Sequence, residues 1–349
     1  MLESHKLRQS ARRWIANVLY WTGALNLLLR FRLRKRAIVL MYHRVVPRRD
    51  LNRIYSHPGI VIETGTFESH LQTLRRYLRV ISLDEFERRM IAGQPFRDRT
   101  CLITFDDGWQ DNFTEAFPLL VRYGLPAAIF LPVGFVGTGR RFWQETLSDL
   151  LFHALTLPKS DRQGISELAV SKLGLDLDEL IPDETGKARI QEKVSKAKAL
   201  SEHELQSILD KVSAESDRNF DWGNHLDTFL TWEQVKTMAG SKIRFGSHTV
   251  NHMILTKVPL DLATEEVGSS MRAIEIELGQ EVVAFSYPNG NYDAEIKEAV
   301  VTNGYQLAFT TQAGVVSAED DRFTIRRVNI HEGAACSKPL FLARIVGIF

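Results

Sequence analysis

The chain predicts an α/β fold: a distorted (β/α) barrel of parallel strands carrying a helical insertion. Three observations carry this expectation. Short apolar runs alternate with segments of helical period, the signature of βα units around a parallel sheet. Carboxylates and histidines cluster just after several of those runs, at the edge where parallel α/β folds assemble their sites. A long stretch from about 138 to 230 breaks the rhythm and is rich in Lys, Glu, Ser and Asp.

Ala37 to Tyr42 (AIVLMY) is apolar and partly β-branched, as a buried strand requires. Thr66 to Leu78 has helical spacing, with Phe67, Leu71, Leu74 and Leu78 on one face. Leu83 to Ile91 is a second expected helix, capped from Ser82. Cys101 to Phe105 is a strand running into Asp106-Asp107-Gly108, followed by a helix from about Asn112 to Tyr123 and a strand at Ala127 to Leu131. The insertion shows helical patches at Phe142 to Leu157 and Glu192 to Val212, whose charges suit solvated faces or a cap over the barrel. The rhythm then returns: Trp232 to Ala239 is helical, Ile243 to Phe245 a strand, and Asp261 to Leu278 a helix closed by Gly279. Strands at Val282 to Phe285, Leu307 to Thr310 and Phe323 to Val328, with a helix at Asp293 to Asn303, complete the pattern. No internal repeat or low-complexity segment is visible.

With 349 residues the chain can bury one large core or two smaller ones. Its 44 Lys+Arg against 43 Asp+Glu leave no basic excess with which to neutralise phosphates, which argues against nucleic-acid binding. Two cysteines give neither a disulfide framework nor a thiolate metal site. Gly137-Thr138-Gly139 lacks the third glycine and the strand–helix context of a phosphate loop.

At the amino terminus, Lys6, Arg8, Arg12 and Arg13 precede an apolar stretch from Trp14 to Leu29, and Arg30, Arg32, Arg34, Lys35 and Arg36 follow it. That stretch falls short of the roughly 20 residues of a spanning helix and includes Asn17, Thr22, Gly23 and Asn26. No small-residue cleavage site follows it. Residues 1–36 are therefore expected to form an interfacial amphipathic anchor, touching an anionic membrane surface through residues 12–36, with the cytoplasmic face favoured. A soluble helix packed against the domain is the alternative.

Three clusters carry chemistry. In Thr104-Phe105-Asp106-Asp107-Gly108-Trp109, two adjacent carboxylates end a strand, where a cation would relieve the cost of burying both. Successive side chains point different ways, so one carboxylate can ligate while the other faces a substrate. An ordinary Asp-Asp-Gly turn is the plain alternative. In Ser247-His248-Thr249-Val250-Asn251-His252, two histidines four apart share a face if the segment is helical, a chelating arrangement. With one carboxylate they make a three-ligand open site. Thr249 stands where a zinc protease of the H-E-x-x-H type would need its glutamate. Finally, Phe285 to Asp293 ends a strand in a Pro- and Gly-containing turn that can aim backbone N–H groups at an oxyanion. A fourth, weaker feature is His43, in Met41-Tyr42-His43-Arg44-Val45 at another strand end.

Taken together, these residues resemble the polysaccharide deacetylase (NodB-homology) family. Thr104-Phe105-Asp106-Asp107-Gly108 matches its first motif, and His248-Thr249-Val250-Asn251-His252 matches the family's His-Ser/Thr-x-x-His. The resemblance runs from about Ala37 to Val328, the insertion aside. It implies that Asp107, His248 and His252 ligate a divalent metal, usually Zn²⁺, that Asp106 is the general base, and that a backbone N–H near Asn289 supports the oxyanion, since Pro288 has none. Many members carry an arginine in the third motif, where this chain has Ser286, and a late Leu-x-His motif. Phe-Ser-Tyr-Pro-Asn-Gly instead resembles the branch acting on poly-N-acetylglucosamine exopolysaccharides, in which the catalytic histidine comes early in a Tyr-His pair. That implies His43 as general acid, with His331 as its rival, and leaves the tuning of Asp106 open. The expected substrate is an acetylated glycan or polysaccharide and the expected reaction hydrolysis of its N-acetyl groups. An O-acetyl esterase and a non-catalytic carbohydrate-binding protein are the other readings.

Overall fold

The computed structural model describes residues 2–200, 204–205, 207–211 and 226–349. The chain divides into two compact units: Met1–Pro47, Pro58–Thr138 and Phe229–Phe349 form one, Arg48–His57 and Gly139–Thr228 the other.

The first unit is built on β1 (Ala37–Tyr42), β2 (Arg44–Val46), β3 (Val61–Glu63), β4 (Arg79–Val80), β5 (Thr100–Phe105), β6 (Ala127–Leu131), β7 (Ile243–Ser247), β8 (Ala284–Ser286), β9 (Leu307–Phe309), β10 (Val315–Val316) and β11 (Val328–Asn329). The main sheet runs β10-β1-β5-β6-β7-β8-β9, with β4 added to β5 and β11 to β1, while β2 and β3 pair separately. From β1 to β9 all neighbours are parallel. The strands β1, β5 and β6 are buried at every position, as strands covered on both faces must be. The sheet curls. Ile325 bridges Phe309 on β9, and three residues later Val328 pairs with Leu40 of β1, so segment 322–330 joins the two ends. The expected final strand over Phe323 to Val328 is thus an isolated bridge and a two-residue strand, with Arg327 between them turned inward and buried.

Helix Thr64–Tyr77 buries Phe67, Leu71 and Leu74, the stripe its spacing predicts. Ser82 Oγ accepts from Glu85 N at 3.2 Å and caps helix Leu83–Ile91. The helix expected from Asn112 to Tyr123 is instead a π-turn at Asn112–Ala116 followed by helix Phe117–Tyr123. Pro118 lies at that junction and has no N–H to continue the α-ladder. The amino-terminal region is two helices, Leu2–Trp21 and Ala24–Arg32, broken at Gly23, whose φ of 77° is left-handed. Ala16, Leu25, Leu29 and Leu33 are buried in one core with Leu340, Phe341 and Ile345 of helix Lys338–Ile345. Among the described residues, no helix is long and apolar enough to cross a membrane.

The second unit has its own core, in which Leu147, Leu150 and Leu151 of helix Trp143–Ala154 meet Ile190 and Val194 of helix Glu184–Lys196. Segment 48–57 belongs to it: Lys187 Nζ donates to Asn52 O at 2.9 Å and Gln191 Nε2 to Ser56 O at 2.9 Å. The expected helix over Glu192 to Val212 lies partly outside the described residues. Within them, its first residues end helix Glu184–Lys196.

One buried histidine ties three elements of the first unit. His70 bonds Tyr42 Oη at 3.1 Å and Ala335 O at 2.7 Å, and its ring stacks on Phe341 at 3.7 Å. Burial lowers its pKa from 6.5 to about 3. The unfolded chain therefore takes up a proton below 6.5 that the folded chain refuses, so stability is full above that value and falls with pH, by up to about 1.4 kcal/mol per pH unit. We expect unfolding free energies in urea to fall from pH 7.5 to 5.5 by roughly 1 kcal/mol more in the wild type than in His70→Gln. Equal losses in the two proteins would refute this assignment.

Candidate active site

The strand ends bring the sequence clusters together. β5 delivers Asp106 and Asp107, β7 delivers His248, and β8 delivers Ser286. One donor atom each from Asp107, His248 and His252 lie within 4.8 Å of one another. Asp107 Oδ1 is 3.5 Å from His248 Nε2 and 3.3 Å from His252 Nε2. The expectation that the histidines converge on one helical face is corrected: 248–252 is a loop, with Thr249 at φ 69° and His252 at φ 57°. Left-handed backbone turns both rings to one point. For a β-branched residue such as Thr249 that conformation is costly.

What holds the loop is a buried carboxylate. Glu266, on helix Leu260–Leu278, accepts from Val250 N at 2.9 Å and Asn251 N at 2.7 Å through one oxygen, and from Asn251 Nδ2 at 2.6 Å through the other. His252 N also donates to Thr249 Oγ1 at 2.9 Å. His248 Nδ1 sits 2.7 Å from Ser286 O, which can only accept. Nδ1 therefore carries a proton, and Nε2 is the ring nitrogen left facing Asp107, the one that would ligate a cation.

Asp107 is itself left-handed, at φ 72°. Its second oxygen accepts from Trp109 Nε1 at 3.0 Å. Trp109 is fixed in turn by stacking on Phe229 at 4.7 Å and by the Arg44 guanidinium 4.4 Å from its ring centre. Gly108 completes the turn at φ 62°, and a Cβ there would come within 2.6 Å of Leu131 Cδ2. Two imidazole nitrogens and one carboxylate oxygen, each oriented by a further hydrogen bond or a strained backbone, fit a divalent cation with open positions. Burial raises the Asp107 pKa, but bonds from His248 and His252 outweigh it and hold the carboxyl well below its usual range. Protons shared among the three are what a cation would displace.

Asp106 points elsewhere and meets an unforeseen partner. Arg327 Nη1 and Nη2 donate to its two oxygens, each at 2.7 Å. The remaining donors of this fully buried guanidinium reach Thr310 O at 2.9 Å, Thr104 Oγ1 at 3.3 Å and Ser286 Oγ at 2.9 Å. Burial raises the Asp106 pKa, and Arg327 and His248 more than reverse it, so the group is ionised. Where the third motif has Ser286 in place of an arginine, Arg327 arrives from the segment between the Ile325 bridge and β11, and Ser286 binds it. Sequence reading missed Arg327. The one available signal was an arginine alternating with Ile325 on the inward side of an expected strand, a position tolerated only with a partner.

His43 follows β1. Its Nε2 lies 4.0 Å from Asp106 Oδ2, and its buried Nδ1 has no hydrogen-bond partner among the described residues. Burial lowers the His43 pKa, opposed by Asp107 and Asp106. Asn112 Nδ2 holds the His43 carbonyl at 2.7 Å. Asn289 lies on the turn after β8 at φ 57°, its side chain exposed and donating to Asn291 Oδ1 at 2.6 Å. His331 flanks the short helix Glu332–Ala335, beside Glu332, whose carboxylate accepts from Glu63 N and Thr66 Oγ1.

Fold and site together describe a curled α/β sheet whose strand ends carry a possible divalent-cation triad, Asp107, His248 and His252. The polysaccharide deacetylase family profile matches residues 93–151 and 197–308, and the chain belongs to that family. YxkH of Bacillus subtilis is 21% identical over 300 residues, 86% of this chain and 73% of that protein. A poly-β-1,6-N-acetyl-D-glucosamine N-deacetylase of Staphylococcus epidermidis is 31% identical over 110 residues, 29% of this chain and 38% of that one. The solved structure of IcaB from Ammonifex degensii is similar in fold, with a TM-score of 0.56 at 20% identity, over 89% of this chain and 97% of that one.

The pair Asp106–Arg327 yields a stability test. Arg327→Met strands a buried carboxylate and should cost about 3–5 kcal/mol, whereas adding Asp106→Asn should restore much of it. Urea unfolding of both single variants and the double variant measures the coupling, and additive losses would show that the pair is not energetically linked.

Proposed function

We propose that this protein removes N-acetyl groups from N-acetylglucosamine units of a cell-envelope or exopolysaccharide, releasing acetate and a free amine. The observation that carries the reading is the convergence of Asp107, His248 and His252 beside a second carboxylate kept ionised by Arg327. The named activity of the Staphylococcus epidermidis relative supports the choice of sugar. Asp107, His248 and His252 would hold the cation, with Zn²⁺ the ion that two imidazoles and a carboxylate suit best. When bound, it lowers the pKa of water and polarises an acyl oxygen.

The chain supplies the rest. Asp106, acceptor-only when ionised, has lone pairs beyond those that Arg327 occupies and takes the proton of the attacking water. The N–H of Asn289 supports the developing oxyanion, a task Pro288 cannot share. His43 gives a proton to the departing amine. Residues 12–36 bring the protein to an anionic membrane surface through exposed aromatic and basic side chains.

Acetate release from an N-acetylglucosamine oligomer tests the reading. We expect it to vanish on chelation, to return with Zn²⁺, and to fall by about 10²–10⁴-fold in Asp106→Asn and in His43→Ala. His252→Ala should lose the metal as well, read by metal analysis of the purified protein. Release that survives both chelation and Asp106→Asn would overturn the proposed site, and release only from an O-acetylated glycan would make the protein an esterase.

A further inference from the structure

The amino-terminal helices pack firmly on the barrel, and where they pack has a consequence. Between Gln9 and Arg36 there is no acidic residue. Trp14, Val18 and Trp21 recur at one helical face and are 68, 40 and 81% exposed. On the second helix Leu27 and Phe31 are 54 and 69% exposed. Arg30, Arg32, Arg34, Lys35 and Arg36 are exposed around them. Exposed aromatic side chains on helices whose own residues from 9 to 36 include cations and no anion complement an anionic bilayer surface in both apolarity and charge.

The opposite side of the same helices is buried in the protein core at Ala16, Leu25, Leu29 and Leu33. Arg13 Nη2 reaches Cys336 Sγ at 3.9 Å, and the Arg12 guanidinium lies 5.7 Å from the Phe349 ring centre. The second helix ends at the strand-start side of the sheet. Leu33 O accepts from Arg99 N at 3.1 Å and Lys35 N donates to Asp98 Oδ1 at 3.1 Å, both just before β5 begins at Thr100. Asp106 and Asp107 follow the other end of that six-residue strand, about 20 Å away at 3.3 Å per residue.

Resting on the membrane contact put forward above, we propose that this docked pair of helices fixes the enzyme's orientation. The strand-start end lies on the bilayer and the catalytic end faces water. The sugar units it deacetylates are then those of a glycan chain extending into the aqueous phase, not units at the headgroup plane.

Nitroxide labels test this in the full-length protein with Cys336→Ser, since Cys101 is buried. One label is placed by Leu27→Cys on the second helix. The other is placed by Glu295→Cys, an exposed position opening helix Ala294–Thr302 at the catalytic end. On adding phosphatidylcholine/phosphatidylglycerol vesicles, the residue-27 label should lose at least about threefold in collision with an aqueous nickel complex and gain in collision with oxygen. The residue-295 label should not change. Trp14→Ser/Trp21→Ser/Phe31→Ser should bind the vesicles at least about tenfold more weakly and still deacetylate a soluble oligomer. Binding with the residue-295 label shielded overturns the orientation alone, whereas binding with the residue-27 label still in water overturns the contact through these helices as well. Failure to co-sediment with the vesicles overturns the membrane contact and the orientation with it.

Discussion

Two adjacent carboxylates buried at the end of one strand are an electrostatic problem, and the guanidinium of Arg327 is its structural answer. Each Arg327 donor has a named acceptor, drawn from β5, from β8 and from the residue after β9, and two of the five bonds go to Asp106. A guanidinium cannot be deprotonated at any ordinary pH and presents its donors as a fixed fork, so it both charges and orients the carboxylate. The same residue lies in the segment that joins β9 to β1. The segment that joins β9 to β1 thus also delivers the counter-charge of Asp106.

Around that pair the backbone gives up local ease for convergence. Asp107, Thr249, His252 and Asn289 all adopt left-handed conformations, which Asp, His and Asn tolerate better than most residues and β-branched Thr249 does not. At Thr249 the cost is on the order of 1–3 kcal/mol and persists only where neighbours over-determine it. Here the neighbours can be named. Glu266 holds the loop of the two histidines from a helix behind it, and Leu230 N donates to Gly108 O at 2.9 Å across the turn of the two aspartates. These positioning groups lie in elements whose sequence shows ordinary amphipathic patterning.

That explains what sequence reading reached. Strands β1, β5, β6 and β7 and helices such as Leu83–Ile91 were legible because apolar periodicity reports burial directly, whereas the two- and three-residue strands β2, β3 and β4 and helix Lys338–Ile345 are too short to show a period and were not read. The candidate side chains were legible because each cluster follows an apolar strand run, and the structure brings Asp107, His248 and His252 to one point. The geometry of 248–252 was not, since spacing alone reads as helix and nothing in Thr249 announces a positive φ. Arg327 and segment 48–57 escaped for a shared reason: their roles come from contacts distant in sequence, Arg327 with Asp106 and Asn52 with Lys187. The π-turn at Asn112–Ala116 was encoded locally by Pro118, within an otherwise helical pattern.

The charge balance of the site shows why an arginine serves better there than a second metal ligand would. With neutral imidazoles, Asp106 and Asp107 contribute two negative charges and Arg327 one positive, leaving the site at minus one. A divalent cation on the Asp107 side brings it to plus one. Hydrolysis of a neutral amide passes through a species with one negative charge, so the site is poised to gain most when that charge appears. Were both carboxylates ligands and Arg327 absent, the loaded site would be neutral and that differential attraction would be lost. On the function proposed above, separating the two aspartates, one toward the histidines and one toward the guanidinium, would let the loaded site favour the transition state over the substrate.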